Sequence, residues 1–173
     1  PVTGLTVNTS LTLKVTGLGG TEFSGFTDKG EGIYTGTLTG TQSGQASLMP
    51  QVNNVDMAPD VTSVTLTAGK AVAKNSRINV GAANFTAGTR FTVTVTLRDA
   101  SENPVTGAED LLTNETVKVP GATRKGAEWT GNGDGTYRAE WEAEQAGNGY
   151  KATLHLAGWG DEEMQSAPYN IQP

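Results

Sequence analysis

The strongest constraint on this chain is that it repeats itself. Pro1-Val2-Thr3-Gly4 returns as Pro104-Val105-Thr106-Gly107, and Lys29-Gly30-Glu31-Gly32-Ile33-Tyr34 is answered by Asn132-Gly133-Asp134-Gly135-Thr136-Tyr137. The separation is 103 residues at both places: Pro1 to Pro104, and Tyr34 to Tyr137. A fixed period implies tandem copies of one folding unit, and a period of about 100 is too long for one turn of a helical solenoid. The length of 173 residues then leaves room for one whole unit and part of another.

The two copies share a strand-and-turn texture. Phe91, Val93, Val95 and Leu97 alternate with Thr92, Thr94, Thr96 and Arg98. Tyr137, Ala139, Trp141 and Ala143 alternate with Arg138, Glu140, Glu142 and Glu144. A period of two marks strands with one face toward a core. Further strands are expected at Thr9–Val15, Ile33–Thr41, Ala46–Val52 and Val61–Thr67 in the first copy. In the second they are expected at Arg77–Val80, Thr116–Val119, Ala152–Leu154 and Ser166–Ile171. Val117 to Gly121 answers Leu13 to Gly17 one residue further on, and Ala152-Thr153-Leu154 answers Ala46-Ser47-Leu48 with two residues more in the second copy. About seven short strands at ten-residue spacing, joined by Gly- and Asp-rich turns, describe an antiparallel sandwich of immunoglobulin type.

The expected architecture is all-β: tandem immunoglobulin-like sandwiches over 1–68 and 69–173, with a short joint around Ala68–Ser76. The second copy carries about 35 residues ahead of Pro104 that the first has no counterpart for. They include the best core strand, so the first unit is expected to lack its N-terminal strands. Those strands would come from upstream sequence or from another chain.

Composition narrows the function. The chain has no Cys, one His and three Met, which leaves no disulfide framework, no thiol nucleophile and little for metal chemistry. A net charge of −6 without a basic cluster argues against nucleic-acid binding. No apolar run is long enough to span a membrane as a helix.

Phe91 to Ala100, Asn103 to Gly107, Asn132 to Tyr137 and Lys151 to Leu154 resemble the bacterial Ig-like repeats, group 1, of the intimin/invasin family of inverse autotransporter adhesins. Tyr34 to Thr39 and Leu48 to Asn53 are similar to the same family, and Leu154 to Trp159 resembles its long enterobacterial members. The resemblance covers nearly the whole chain. It implies an extracellular stalk or adhesion segment, held to the outer membrane by a barrel outside these residues. The implied partners are neighbouring Ig-like domains and a host cell-surface or matrix protein or glycan. An accessory module of an extracellular glycan-active protein is the alternative. No enzyme activity and no cofactor or metal is expected.

Single residues give little chemistry. Asp28–Gly32 and Asn132–Gly135 lack calcium-loop spacing and read as turns needing φ > 0. Asp161-Glu162-Glu163 and the Glu140, Glu142 and Glu144 row read as solvated carboxylates rather than a glycosidase pair. His155 has no nucleophile elbow to serve. Trp129 and Trp141 read as core. Trp159, between Gly158 and Gly160 and beside Asp161, either caps the sandwich or is an exposed aromatic anchor. Trp159 and Asp161 are therefore the candidate contact residues for a protein or glycan.

Overall fold

A computed structural model describes residues 2–57 and 62–173. The chain divides into two compact units, residues 1–67 and 68–173. The strand expected from Val61 begins outside the described residues and is seen from Thr62.

In the second unit, strands β9 (Arg77–Asn79), β10 (Asn84–Thr86), β11 (Arg90–Thr96), β12 (Val117–Lys118), β13 (Ala122–Gly131) and β14 (Thr136–Ala143) are followed by β15 (Gly147–Tyr150), β16 (Thr153–Leu154), β17 (Met164–Gln165) and β18 (Tyr169–Gln172). One sheet runs β13-β14-β11-β9. The opposite layer is in two pieces, β12-β16-β17 and β10-β18-β15. The alternating residues do what their period requires. Phe91, Val93 and Val95 on β11 and Tyr137, Ala139 and Trp141 on β14 are all buried, with Val93 facing Ala139 and Val95 facing Tyr137 across the ladder. Val117, Leu154, Tyr169 and Ile171 close the core from the other layer. Phe85 stacks on Phe91 with ring centroids 4.1 Å apart.

The outer face of the β11–β14 pair carries a ladder of opposite charges. Arg90 lies 3.6 Å from Glu140 and 3.7 Å from Glu142, while Lys125 lies 3.8 Å from Glu142 and 3.2 Å from Glu144. These exposed pairs add little stability each.

The first unit has β1 (Leu11–Thr16), β2 (Thr21–Phe23), β3 (Thr27–Gly30), β4 (Ile33–Thr35), β5 (Leu38–Gly40), β6 (Gly44–Val52), β7 (Val55–Asp56) and β8 (Thr62–Leu66). β6 pairs with β1, β7 and β8. β2 pairs with β5, and β3 with β4.

The repeat is visible atom by atom. The Tyr34 hydroxyl accepts from the Leu5 amide at 3.4 Å, and the Tyr137 hydroxyl accepts from the Ala108 amide at 3.1 Å, each residue 103 positions after its counterpart. Gly17 and Gly121, 104 apart, both have left-handed φ, at 89° and 76°. At Gly121 a Cβ would meet Tyr150 and Ile171 side chains, so the turn also needs the missing side chain.

Three strand expectations are corrected. Ile33–Thr41 is not one strand but β4 and β5, broken at Gly36-Thr37. The Phe23 ring and the Gly25 carbonyl occupy the space a Cβ at Gly36 would need. Ser166–Ile171 is likewise split. Ser166 turns inward, its hydroxyl accepting from the Ala152 amide at 2.9 Å, and Pro168 precedes β18, which joins a different sheet from β17. The two extra residues inferred at Ala152 are not needed by the pairing. Lys14 faces Met49 and Lys118 faces Thr153, both members of the pair moving by 104 residues.

Candidate contact site

Trp159 lies in the turn that follows β16. Its amide donates to the Leu156 carbonyl at 3.2 Å, and its own carbonyl accepts from the Glu162 amide at 3.1 Å. Gly158 and Gly160 have φ of 90° and 63°, the left-handed values that aim the intervening side chain inward here. The indole is only 8% exposed and belongs to the core cluster. Its Nε1–H donates to the Ala71 carbonyl at 2.8 Å, across 88 residues of sequence. Of the two roles the sequence left open, this geometry matches the cap: the ring closes one end of the second unit over the segment that leads into it.

Asp161 beside it is exposed, as are Glu162 and Glu163. The surface of this turn is therefore carboxylate and backbone, without an aromatic platform. Among the described residues the exposed large apolar side chains are Val2, Ile33, Val55, Met57 and Leu111, none of them aromatic. His155 is half-buried, its Nδ1 2.8 Å from the Glu162 carbonyl oxygen, where it steadies the same turn. Among the described residues no group of three His, Cys, Asp or Glu could hold a metal ion.

Trp129 and Trp141 are core residues, and both indole N–H groups are buried without a hydrogen-bond partner. Trp141 also floors a groove of about 380 Å³ between β12 and β13, lined by Val117, Val119, Pro120 and Arg124.

The sequence reading missed the anchor under Ala71. Asp99 is 6% exposed. Its carboxylate accepts from the amides of Ser101 and Asn103 at 2.9 Å each, from the Asn103 side-chain amide at 3.0 Å, and from the Gly69 amide at 2.8 Å. Burial works to raise its pKa, but the hydrogen bonds from Asn103, Gly69 and Ser101 outweigh it and hold the carboxyl below its ordinary value. The Asn75 side chain donates to the Asp99 carbonyl at 2.8 Å and the Val72 amide to the Arg98 carbonyl at 2.9 Å. Within the expected joint Ala68–Ser76, the segment from Gly69 onward is thus fastened along the second unit, with a 3₁₀ turn at Ala73–Asn75 and Ala73 in the core. An Asp opening a turn is a visible signal; the amide 30 residues upstream that it captures is not.

Comparison with known proteins agrees with this fold. No protein-family profile matches the sequence. The chain is 33% identical, over 99% of its length, to the inverse autotransporter adhesin YeeJ of Escherichia coli K12, of which it spans 7%. It superposes on the Escherichia coli adhesin FdeC with a TM-score of 0.74 at 28% identity, covering 99% of this chain and 55% of that one. Invasin, a bacterial integrin-binding protein, shares the fold at a TM-score of 0.70 and 16% identity, over 95% of this chain and 33% of that one. With the repeat and the strand pattern, these likenesses make the chain similar along nearly its whole length to the Ig-like repeats of inverse autotransporter adhesins of the intimin/invasin type.

Proposed function

We propose that this chain is a stalk segment of an extracellular bacterial adhesin, anchored in the outer membrane by a region outside these residues, and that its work is mechanical rather than enzymatic. The observation that carries the reading is the identity with an inverse autotransporter adhesin along nearly the whole chain. The geometry of the second unit supports the mechanical part. β10 and β18 are parallel neighbours, Asn84 facing Asn170 and Thr86 facing Gln172. The Asn170 amide donates to the Ala83 carbonyl at 2.9 Å and the Ala87 amide to the Gln172 carbonyl at 2.8 Å. Tension along the polypeptide draws β18 toward its C-terminal end and β10 toward its N-terminal end. In a parallel pair those pulls are opposed, so the evenly spaced ladder bonds are loaded together in shear instead of unzipping singly. The buried Trp159 turn and the Asp99 anchor keep the entering segment attached while this load is carried.

The partner of the whole adhesin is a host cell-surface or matrix protein or glycan. This segment extends the binding region from the cell, or adds a weak contact through the acidic turn at Asp161. Two measurements test the reading. Pulling single chains from both ends is expected to show the second unit opening in one high-force event, and Ala87→Pro, which removes a ladder donor, is expected to lower that force. In bacteria displaying the full adhesin, exchanging residues 1–173 for another pair of its own repeats should keep attachment to host cells, and deleting them should weaken it. Loss of attachment on exchange would make this segment the binding site instead of a spacer. Failure of the full protein to reach the cell surface would end the adhesin reading.

A further inference from the structure

The chain has 12 Lys and Arg against 18 Asp and Glu, so a place where cations gather with few acids is informative. One such place lies where the chain enters the second unit. Lys74, Asn75, Arg77, Thr96, Arg98 and Glu102 line a groove of about 360 Å³. Arg77 faces Thr96 across the β9–β11 ladder, and Ile78, Val95 and Leu97 between them are buried, so the groove lies on the outer side of that sheet. Three cations share it with one carboxylate. Among the described residues none of the three makes an ion pair, whereas Arg90 and Lys125 on the same sheet each lie against two glutamates. Asp134 feels the Arg98 charge only at longer range, its carboxylate being bonded to Thr136.

The Asp99 anchor holds this groove in shape. The Arg98 amide donates to the Ser76 hydroxyl at 3.2 Å, and the Asn75 side chain donates to the Asp99 carbonyl at 2.8 Å. The segment that carries Lys74 is thereby fixed against the end of β11 that carries Arg98. On the other rim, one Arg98 guanidinium N–H donates to the Glu102 carbonyl at 2.9 Å. Glu102 has a φ of 65°, a left-handed backbone that residues other than glycine seldom adopt. Such strain persists where the surroundings enforce it, and it gathers at binding sites. Here the turn around Asp99 enforces it: the Glu102 amide donates to the Asp99 carbonyl at 3.0 Å, and the next amide, of Asn103, to the Asp99 carboxylate at 2.9 Å. The result is a lone carboxylate acceptor at the lip of a cationic groove.

We infer that this groove binds a sugar acid, a pyranose bearing one carboxylate beside several hydroxyls, as in a sialylated or uronic-acid-containing glycan. Each part of the lining selects for part of that chemistry. Lys74, Arg77 and the remaining N–H donors of Arg98 suit a carboxylate. Ionised Glu102 only accepts hydrogen bonds, and Thr96 and Asn75 both donate and accept, so the ligand must bring hydroxyl donors as well as negative charge. No apolar side chain lines the groove, which leaves a lipid tail or the apolar anchor of a peptide nothing to pack on. The net charge of −6 repels long polyanions, so a single carboxylate fits better than a nucleic acid or a polysulfated chain. The volume falls within the range of small-ligand pockets, about 300–1,000 Å³. The site is separate from the Asp161 turn, and the inference does not rest on the stalk reading.

The test follows the backbone amide resonances of the chain while sialyllactose, glucuronate, lactose or glucose is added. At least one of the two acids is expected to move the amides of residues 74–77 and 96–102 saturably, and the neutral sugars to leave them in place; the acid that binds more tightly names the source. Lys74→Glu with Arg77→Glu, both exposed, should weaken that binding by about ten-fold or more. Lys14→Glu with Lys118→Glu makes the same change in net charge at exposed sites outside the groove and should leave binding as it was. If the first pair disturbs folding, Lys74→Ala alone takes its place, with a smaller loss of the same kind. Silence at the groove with both acids overturns the inference. Equal binding of acidic and neutral sugars does so too, as does equal weakening by the two variant pairs. Binding of heparin where both sugar acids fail would make the groove a general polyanion patch and also overturns it. None of these results bears on the exchange and deletion of residues 1–173 in bacteria, so the two readings fail separately.

Discussion

The two units read almost the same local script and reach different burial. Tyr34 and Tyr137 each hold a backbone amide 29 residues upstream, yet Tyr137 is fully buried and Tyr34 only half so. Leu13 and Val15 are half-buried on β1, whereas Val117 and Val119, their counterparts, are in the core. Patterning selects the strands and their register. What buries them is the rest of the sandwich, and in the second unit β9 and β11 extend the sheet of β14 while β10 adds to the other layer beside β18. Hydrophobic stabilisation scales with apolar area removed from water, so equal side chains are worth unequal amounts in the two copies.

That difference can be broken most sharply with paired truncations, read unit by unit through hydrogen exchange. Leu97→Ala, at a fully buried site, should destabilise the second unit by about 2–5 kcal/mol, while Leu13→Ala should cost the first unit about 1 kcal/mol or less. Next in size is Asp99→Asn, which removes a charged acceptor from four hydrogen bonds and should cost the second unit about 1–3 kcal/mol. The same carboxylate gives a pH dependence. Its folded pKa is depressed, so its contribution is present above the unfolded carboxylate value of about 4 and is lost as pH falls through the lower folded value. Acid titration of the wild type should therefore loosen residues 69–76, and Asp99→Asn should flatten that response. Tyr137→Phe deletes a bond to the Val105 carbonyl at 2.6 Å and leaves the Ala108 amide without its acceptor. A loss of about 1–2 kcal/mol is expected, against a few tenths for Tyr34→Phe, whose site is open to water. The smallest change belongs to Arg90→Ala. It empties one end of an exposed ladder and should alter thermal stability by about 0.5 kcal/mol or less, vanishing in high salt.

Much of this was legible because it is local. The alternation of Phe91–Leu97 and Tyr137–Ala143 reports a period, and the 103-residue offset reports copies; neither needs a third dimension. What stayed hidden is what distant residues decide. The break at Gly36 depends on where the Phe23 ring lies, and the split before Tyr169 depends on Ser166 reaching the Ala152 amide. Trp159 carries the same local signal whether it caps or protrudes, a hydrophobic ring between two glycines. Only the Ala71 carbonyl, 88 residues away, distinguishes the two. The Asp99 anchor was missed for the same reason, since its most distant donor is a glycine amide without any side-chain signature.

All three tryptophans, Trp129, Trp141 and Trp159, sit in the core of the second unit, and the first unit has none. The molecule therefore carries a built-in optical reporter that watches one half alone. Indole emission will shift to the red when the second unit opens and will stay silent while the first frays. A melt followed by fluorescence records one domain, and the gap between that curve and circular dichroism, which senses both, isolates the behaviour of the other without any label.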